Sequence, residues 1–430
     1  MKKIILISII SLILIILSTV IYVRMSLPGT SQLNLFLKNN FPKNLYVMLR
    51  FLKDTDKNVK RNLNDYNVQF LPQTQFQNLK FTKIKIKALE KSNQGYLEKY
   101  KRKQYSFFLS RYNNFLFIGT ANGQILYTEI NKLKNNKNNF KSLSHNLNFD
   151  NLSFREMIID NGNIYVSVAF KKNENCLVLQ VYKSKILLNK KLNFTNIFSD
   201  SECVLIMAGG RMQPWAKDDK RKILLSTSAD VLRNEDESDS KPQDDNSIYG
   251  KILVIDENNK NYEIYSKGHR NTLGLYANVN ENIILNTENG PKGGDEINLI
   301  LQGKNYGWDI ASYGKRYKKK IKNVADYKLS HKDHGFEEPI YAFVPSIGIT
   351  EIIKIPNNFS KYWQDNFLIG SMNSKHLFRV KFDEKFSKIL FLEKIFIEER
   401  IRDLFYLNNT KQILLALEDS GSIGILEVEE

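Results

Sequence analysis

Asn289-Gly290-Pro291-Lys292-Gly293-Gly294-Asp295-Glu296-Ile297-Asn298 says more about this chain than any other stretch of it. Ordinary packing has no use for Gly-Pro-x-Gly-Gly followed by Asp-Glu. Glycine at this density marks a backbone driven into dihedrals that a Cβ forbids. The adjacent Asp295 and Glu296 offer oxygen ligands to a hard cation. Gly268-His269-Arg270-Asn271 stands upstream and Gly303-Lys304-Asn305-Tyr306-Gly307-Trp308 downstream, so the loop lies in a larger polar, glycine-rich block.

Outward from this block the chain reads as β structure. Three large apolar residues followed by a small or short polar one recur six times, at 116–119, 164–167, 223–226, 283–286, 367–370 and 413–416. Their starts lie 48, 59, 60, 84 and 46 residues apart. Turn residues separate them, and Asn122-Gly123 after the first run is a strong hairpin signal. No long helical period is visible. Six irregular copies of one β unit indicate an all-β, six-bladed β-propeller, although a large β-sandwich or two β domains would share the spacing. In a propeller the small fourth residue suits an innermost strand crowding the central channel. Residues 234–246 form an apolar-free, charged loop. Residues 308–343 form a long excursion over one face, in which His331 and His334 are read as a surface pair.

The N-terminus predicts location. Lys2 and Lys3 precede residues 4–23, which carry no charge, and ~20 helical residues span a hydrocarbon core of ~30 Å. The expected layout is a transmembrane anchor over 1–25, a membrane-proximal linker with short helices over 26–75, and the propeller over 76–430. The body is expected outside the cytoplasmic (inner) membrane, facing the periplasm or exterior. The net charge of +17 is spread as lysine among asparagine and forms no basic helix or aromatic-interleaved stripe, so no nucleic-acid partner is expected. The oligomeric state stays open. Cys176 and Cys203 lie in no Cys-x-x-Cys pair, which argues against zinc. In an exported body they would form one bridge.

The block at 268–308 resembles the glucose/sorbosone dehydrogenases, six-bladed propellers that use pyrroloquinoline quinone (PQQ) and calcium. Ala208-Gly209-Gly210-Arg211-Met212, Tyr249-Gly250-Lys251-Ile252-Leu253 and Glu399-Arg400-Ile401-Arg402-Asp403 resemble further elements of that family. The resemblance implies oxidation of a sugar or other small alcohol in the channel, with hydride passing to PQQ. It assigns cofactor and substrate contact to Arg270 and Asn271, and PQQ contact to Arg400 and Arg402. These two stand at i and i+2, on one face of a strand. It assigns the cofactor's calcium to the Gly290 and Pro291 carbonyls, and a second calcium to the neighbourhood of Asp295, Glu296 and Tyr306. The same glycines and carboxylates would also serve a metal-free turn.

The chain departs from that pattern where the chemistry is. The family's catalytic histidine falls on Met207, whose thioether takes no proton at neutral pH. Its lysine near the quinone falls on Asn373, with Lys375 two residues away, and its histidine before Gly-Pro is Asn289. Two functions therefore stand side by side: a PQQ-dependent sugar dehydrogenase, and a catalytically degenerate, calcium-stabilised propeller that binds a ligand or partner without redox chemistry.

Overall fold

The computed structural model describes Ser18 and residues 66–70, 77–89, 104–134, 140–148, 150–216, 221–229, 241–317 and 325–429. Apart from Ser18, the anchor expected over 1–25 lies outside the described residues, as does most of the linker. Among the described residues no helix is long and apolar enough to cross a membrane.

Strands β1 (Tyr66–Phe70) and β2 (Leu79–Lys85) come first. Five four-stranded antiparallel sheets follow, each a meander in chain order. Blade 1 is β3 (Phe107–Tyr112), β4 (Phe115–Thr120), β5 (Ile125–Glu129) and β6 (Lys141–Leu143). Blade 2 is β7 (Leu152–Asp160), β8 (Asn163–Asn173), β9 (Cys176–Lys185) and β10 (Thr195–Ser199). Blade 3 is β11 (Gly209–Pro214), β12 (Lys222–Thr227), β13 (Lys251–Asp256) and β14 (Tyr262–Lys267). Blade 4 is β15 (Thr272–Asn278), β16 (Ile283–Glu288), β17 (Asp295–Leu299) and β18 (Tyr341–Phe343). Blade 5 is β19 (Ile349–Lys354), β20 (Asn366–Ser371), β21 (His376–Phe382) and β22 (Ile389–Phe396). Blade 6 joins β23 (Ile401–Leu407), β24 (Gln412–Leu417) and β25 (Ser422–Val428) to β2, which pairs antiparallel with β25 from Leu79↔Val428 to Lys85↔Ser422. The two ends of the propeller thus meet in one sheet and close the ring. β1 adds a fifth strand outside β2, ahead of the boundary expected at residue 75.

The apolar core is a ring and not a single layer. Six clusters of buried side chains each lie between two adjacent blades, from blades 1 and 2 around to blades 6 and 1. A sandwich would bury one continuous layer between two sheets; here every blade presents apolar residues on both faces.

The six recurring runs are β-strands, but they are not the innermost ones. They form β4, β8, β12, β16, β20 and β24, the second strand of each blade, whereas neighbouring blades meet through their first strands. The small fourth residue makes room for the next blade. A Cβ on Gly119 would sit 2.7 Å from Met157 Sδ on β7, and one on Gly370 would sit 3.1 Å from Ile401 Cγ2 on β23. At the same level Ser167 Oγ donates to the Gly210 carbonyl on β11 at 2.5 Å.

One buried guanidinium ties all six inner strands together. Arg211 on β11 forms ion pairs with Glu156 on β7, Glu351 on β19 (2.9 Å) and Asp403 on β23 (3.0 Å). Its plane lies 5.2 Å from the Phe108 ring on β3. Asp403 also accepts the Leu109 N–H of β3 at 2.7 Å, and Glu351 the Leu275 N–H of β15 at 3.2 Å. The register shifts beside these residues on β7, β11, β15, β19 and β23. Such bulges re-aim side chains and free backbone N–H groups from the ladder. The three carboxylates lie within 4.8 Å of one another, the spacing of a metal site, but the guanidinium already fills that role. Burial and mutual repulsion outweigh the arginine, pushing Glu156 up to about 7 and Glu351 up to about 8. Asp403 is also raised, chiefly by burial.

Cys176 and Cys203 are bridged, with Cα atoms 4.8 Å apart. The bridge fastens the segment after β10 to the start of β9 and closes a loop of 27 residues, a constraint of ~3 kcal/mol in the chain-entropy account.

Candidate functional site

Because all inner strands run the same way, the segments just before them meet at one rim. Met207, Asn271, Gly348 and Arg400 all stand there. The loops between second and third strands reach the same rim, including 289–294, 372–375 and 418–421.

Met207 belongs to the apolar cluster between blades 2 and 3 and is 5% exposed. It is packed as a core residue. His269 faces away from the rim: fully buried, it stacks on Tyr306 at 4.6 Å and contacts Glu288 (3.1 Å) and Ser266 (2.8 Å). His331 corrects the expectation of a surface pair. It is 2% exposed, stacked on Tyr313, with Nε2 3.5 Å from Glu296; only His334 is exposed. His145 is bound to the Gly123 carbonyl and His376 to the Ser374 carbonyl.

Arg270 and Asn271 separate. The Arg270 guanidinium turns under the glycine loop, donating to the carbonyls of Asn289 (2.6 Å) and Gly290 (2.9 Å) and lying 5.2 Å from the Trp308 ring. Asn271 remains at the rim, and its buried Oδ1 has no hydrogen-bond partner. Asn289, where the family has histidine, donates to the Ile349 carbonyl of blade 5 at 2.6 Å.

The glycine loop is as strained as its sequence predicts. A Cβ on Gly290 would lie 2.1 Å from the Gly294 carbonyl oxygen, and one on Gly294 (φ +70°) 2.6 Å from Gly314 N, because the excursion lies backbone to backbone on the loop. Asp295 is committed to the backbone. It accepts the N–H groups of Gly290, Ile347, Gly348 and Ile349 at 2.7–3.1 Å, locking the loop to blade 5. The Pro291 carbonyl accepts the Tyr317 hydroxyl at 3.1 Å. Gly290, Glu296 and Tyr306, by contrast, line one cavity of about 10 Å³ together with Arg270, Glu288 and His331, room for about one water-sized sphere. Burial and the facing Glu288 raise the Glu296 carboxyl well above the ordinary range, while burial lowers His331.

Arg400 and Arg402 lie together, as the i, i+2 spacing predicts, with Ile401 between them buried in the cluster of blades 5 and 6. Both are anchored by a residue the sequence reading missed. The fully buried Glu418 carboxylate accepts Arg400 Nε at 3.2 Å, Arg402 Nε at a shorter distance, and Ser106 Oγ at 2.7 Å. Burial alone would raise Glu418, but the two guanidiniums outweigh it and hold the carboxyl below its ordinary value. Arg400 Nη1 lies 3.5 Å from Asn373 Oδ1 and Nη2 lies 3.1 Å from Met372 Sδ. Among the described residues the terminal nitrogens of Arg402 have no partner. Lys375 sits in the turn before β21 at φ +60° and pairs with Asp419 at 2.7 Å, adding a third cation beside the clamp. The clue in the sequence was Glu418-Asp419 directly after the apolar run 413–417, where a buried strand ends in two acids.

Residues 153–425 match the Glucose / Sorbosone dehydrogenase family. The chain belongs to that family. Aldose sugar dehydrogenase YliI of Escherichia coli (strain K12) is 33% identical over 122 residues, which cover 28% of this chain and 32% of that protein. The match thus spans about a third of that relative's length. The apo-form structure of the soluble aldose sugar dehydrogenase from Escherichia coli superposes with a TM-score of 0.62 at 19% identity, covering 76% of this chain and 96% of that one. The PQQ-bound form of aldose sugar dehydrogenase from Streptomyces coelicolor gives 0.54 at 14% identity, covering 81% and 98%. At these identities the structures establish a shared fold.

Proposed function

We propose that this family member binds an anionic, carboxylate-bearing ligand of the PQQ class at the channel rim, and that it is at best a slow sugar dehydrogenase. One contrast carries the reading: two guanidiniums are presented at the rim from one buried carboxylate, while the position of the general base holds a methionine packed into the core. The residues present fit such a ligand. Arg400 and Arg402 would meet its carboxylates through charge-assisted hydrogen bonds, and the unpartnered Asn271 Oδ1 offers an acceptor at the same rim. PQQ, when bound, supplies a quinone that accepts hydride from an alcohol carbon. The chain would orient the ligand, but Met207, at the position of the family's base, and His269 and His331 are all buried in other contacts and would not take the hydroxyl proton. General-base catalysis is worth about 10²–10⁴-fold, so turnover should fall by that order. Arg270 in this reading supports the glycine loop.

Within the same proposal, calcium would sit in the cavity behind the rim. Glu288 and Glu296 line it and offer the hard oxygen donors that calcium takes, while the Gly290 carbonyl is already taken by Arg270 Nη1 at 2.9 Å. Asp295 and Pro291, spent on backbone N–H groups and a tyrosine hydroxyl, would not be ligands. We also infer that residues 1–25 tether the body on the outer side of the cytoplasmic membrane. The Cys176–Cys203 bridge supports this, since disulfides persist in oxidising compartments.

The test is equilibrium titration of PQQ into purified protein with calcium, together with dye-coupled aldose oxidation. Binding with oxidation at least about 10²-fold below an intact dehydrogenase is expected. Full activity would mean that a base other than Met207, His269 or His331 serves the site. No binding at all would overturn the ligand class.

A further inference from the structure

The rim clamp has an unusual division of labour. Each arginine spends its Nε on Glu418, and the two terminal nitrogens of each lie beyond it. Among the described residues these have no partner for Arg402, and for Arg400 they meet only Asn373 Oδ1 at 3.5 Å and Met372 Sδ. Glu418 is itself immobilised. Its carboxylate also accepts Ser106 Oγ, its N–H donates to the Arg400 carbonyl at 2.9 Å, and its carbonyl accepts the Tyr105 N–H at 3.0 Å. The backbone beneath Arg402 is pinned as well, because Arg211 Nη2 donates to its carbonyl at 2.9 Å. Two long side chains that would otherwise sample many rotamers are thus fixed side by side.

We propose that Glu418 is a positioning residue that sets Arg400 and Arg402 as a paired receptor for a ligand bearing two carboxylates. This rests on the anion-binding reading above and adds to it the residue that fixes the two forks. A carboxylate seats best on a planar fork, and two forks fixed in relation to one another discriminate in favour of a rigid ligand that spans both. Glu418 also opposes binding, because its negative charge offsets one of the two arginines. Charge and geometry therefore make opposite predictions, and the two can be separated.

The experiment measures the equilibrium affinity of PQQ, with three carboxylates, against quinoline-2-carboxylate, with one, and follows their ratio. Glu418→Asp keeps the charge but is one methylene too short to reach both Nε atoms. Glu418→Gln keeps the size but turns an amide N–H toward one guanidinium. For both variants the PQQ preference should fall about 10-fold or more, since bidentate seating on two forks is lost. Affinity for the single carboxylate should hold in Glu418→Asp and hold or rise in Glu418→Gln, where an opposing charge is gone. A generally loosened fold would weaken both ligands alike and leave the ratio unmoved. If thermal melts show a Glu418 variant unfolded, Arg400→Lys, which keeps the charge and Glu418 but removes one fork, must produce the same loss of ratio. An unchanged ratio in the folded variants overturns the role of Glu418 while leaving anion binding intact. Wild type that binds neither compound overturns the anion-binding reading itself.

Discussion

The channel contains two charge clusters that are near mirror images. At the hub one guanidinium, Arg211, meets three carboxylates; at the rim one carboxylate, Glu418, meets two guanidiniums. The hub is closed. Its members are at most 8% exposed, and carboxylates, backbone N–H groups and a carbonyl answer one another. The rim clamp is open, since the anchoring atom is Nε; among the described residues the Arg402 fork beyond it has no partner and the Arg400 fork meets only Asn373 Oδ1 and Met372 Sδ. A closed cluster of this kind can only specify architecture. An open one can meet a ligand.

The most severe way to break the contrast is at the hub. Arg211→Met should destabilise the propeller by about 3–5 kcal/mol, because three carboxylates lose their shared partner in a dry site. Chemical denaturation measures this, and a variant as stable as wild type would remove the hub from any role in closing the ring.

Hub titration sharpens the comparison next. Glu156 and Glu351 stay protonated in the fold up to about 7 and about 8, while in the unfolded chain they ionise at their ordinary, lower values. The folded state then binds more protons than the unfolded one across that window, so stability should fall as pH rises from about 5 to 8. Glu351→Gln should flatten the decline in a series of thermal melts; an identical slope would show that the carboxyl is not raised.

At the rim the effect should be on binding. Arg402→Met should weaken PQQ about 10–100-fold, the worth of charged hydrogen bonds, while lowering the melting temperature less than Arg211→Met does. Equal loss of stability would make the clamp a second structural hub. The smallest effect concerns salt. Raising sodium chloride from low to physiological strength should weaken PQQ binding at the part-exposed forks and leave the melting temperature nearly unchanged, because buried pairs are poorly screened.

In the binding loop, Glu296→Ala should abolish stabilisation by millimolar calcium, read as the difference in melting temperature between calcium and chelator. An undiminished shift would move the ion away from this cavity.

The sequence by itself determined the β class, the six-fold recurrence of one β unit, the strained loop at 289–294 and the shared face of Arg400 and Arg402. All of these follow from local periodicity or from dihedrals only glycine can adopt. Through the family resemblance it also led to the expectation that Met207 stands where that family has its base. Tertiary structure alone decided which strand lines the channel. A run of three apolar residues reads the same on a first or a second strand, and the small residue after it answers to the neighbouring blade. Only the fold brought Glu156, Arg211, Glu351 and Asp403 together from four inner strands, and placed Glu418 beneath two arginines 16 and 18 residues earlier in the chain. Only the fold turned Arg270 away from the rim and buried His331 beside Glu296. These placements depend on bulges, on blade-to-blade register and on an excursion packed backbone to backbone on a glycine loop, long-range constraints that leave no period in the chain.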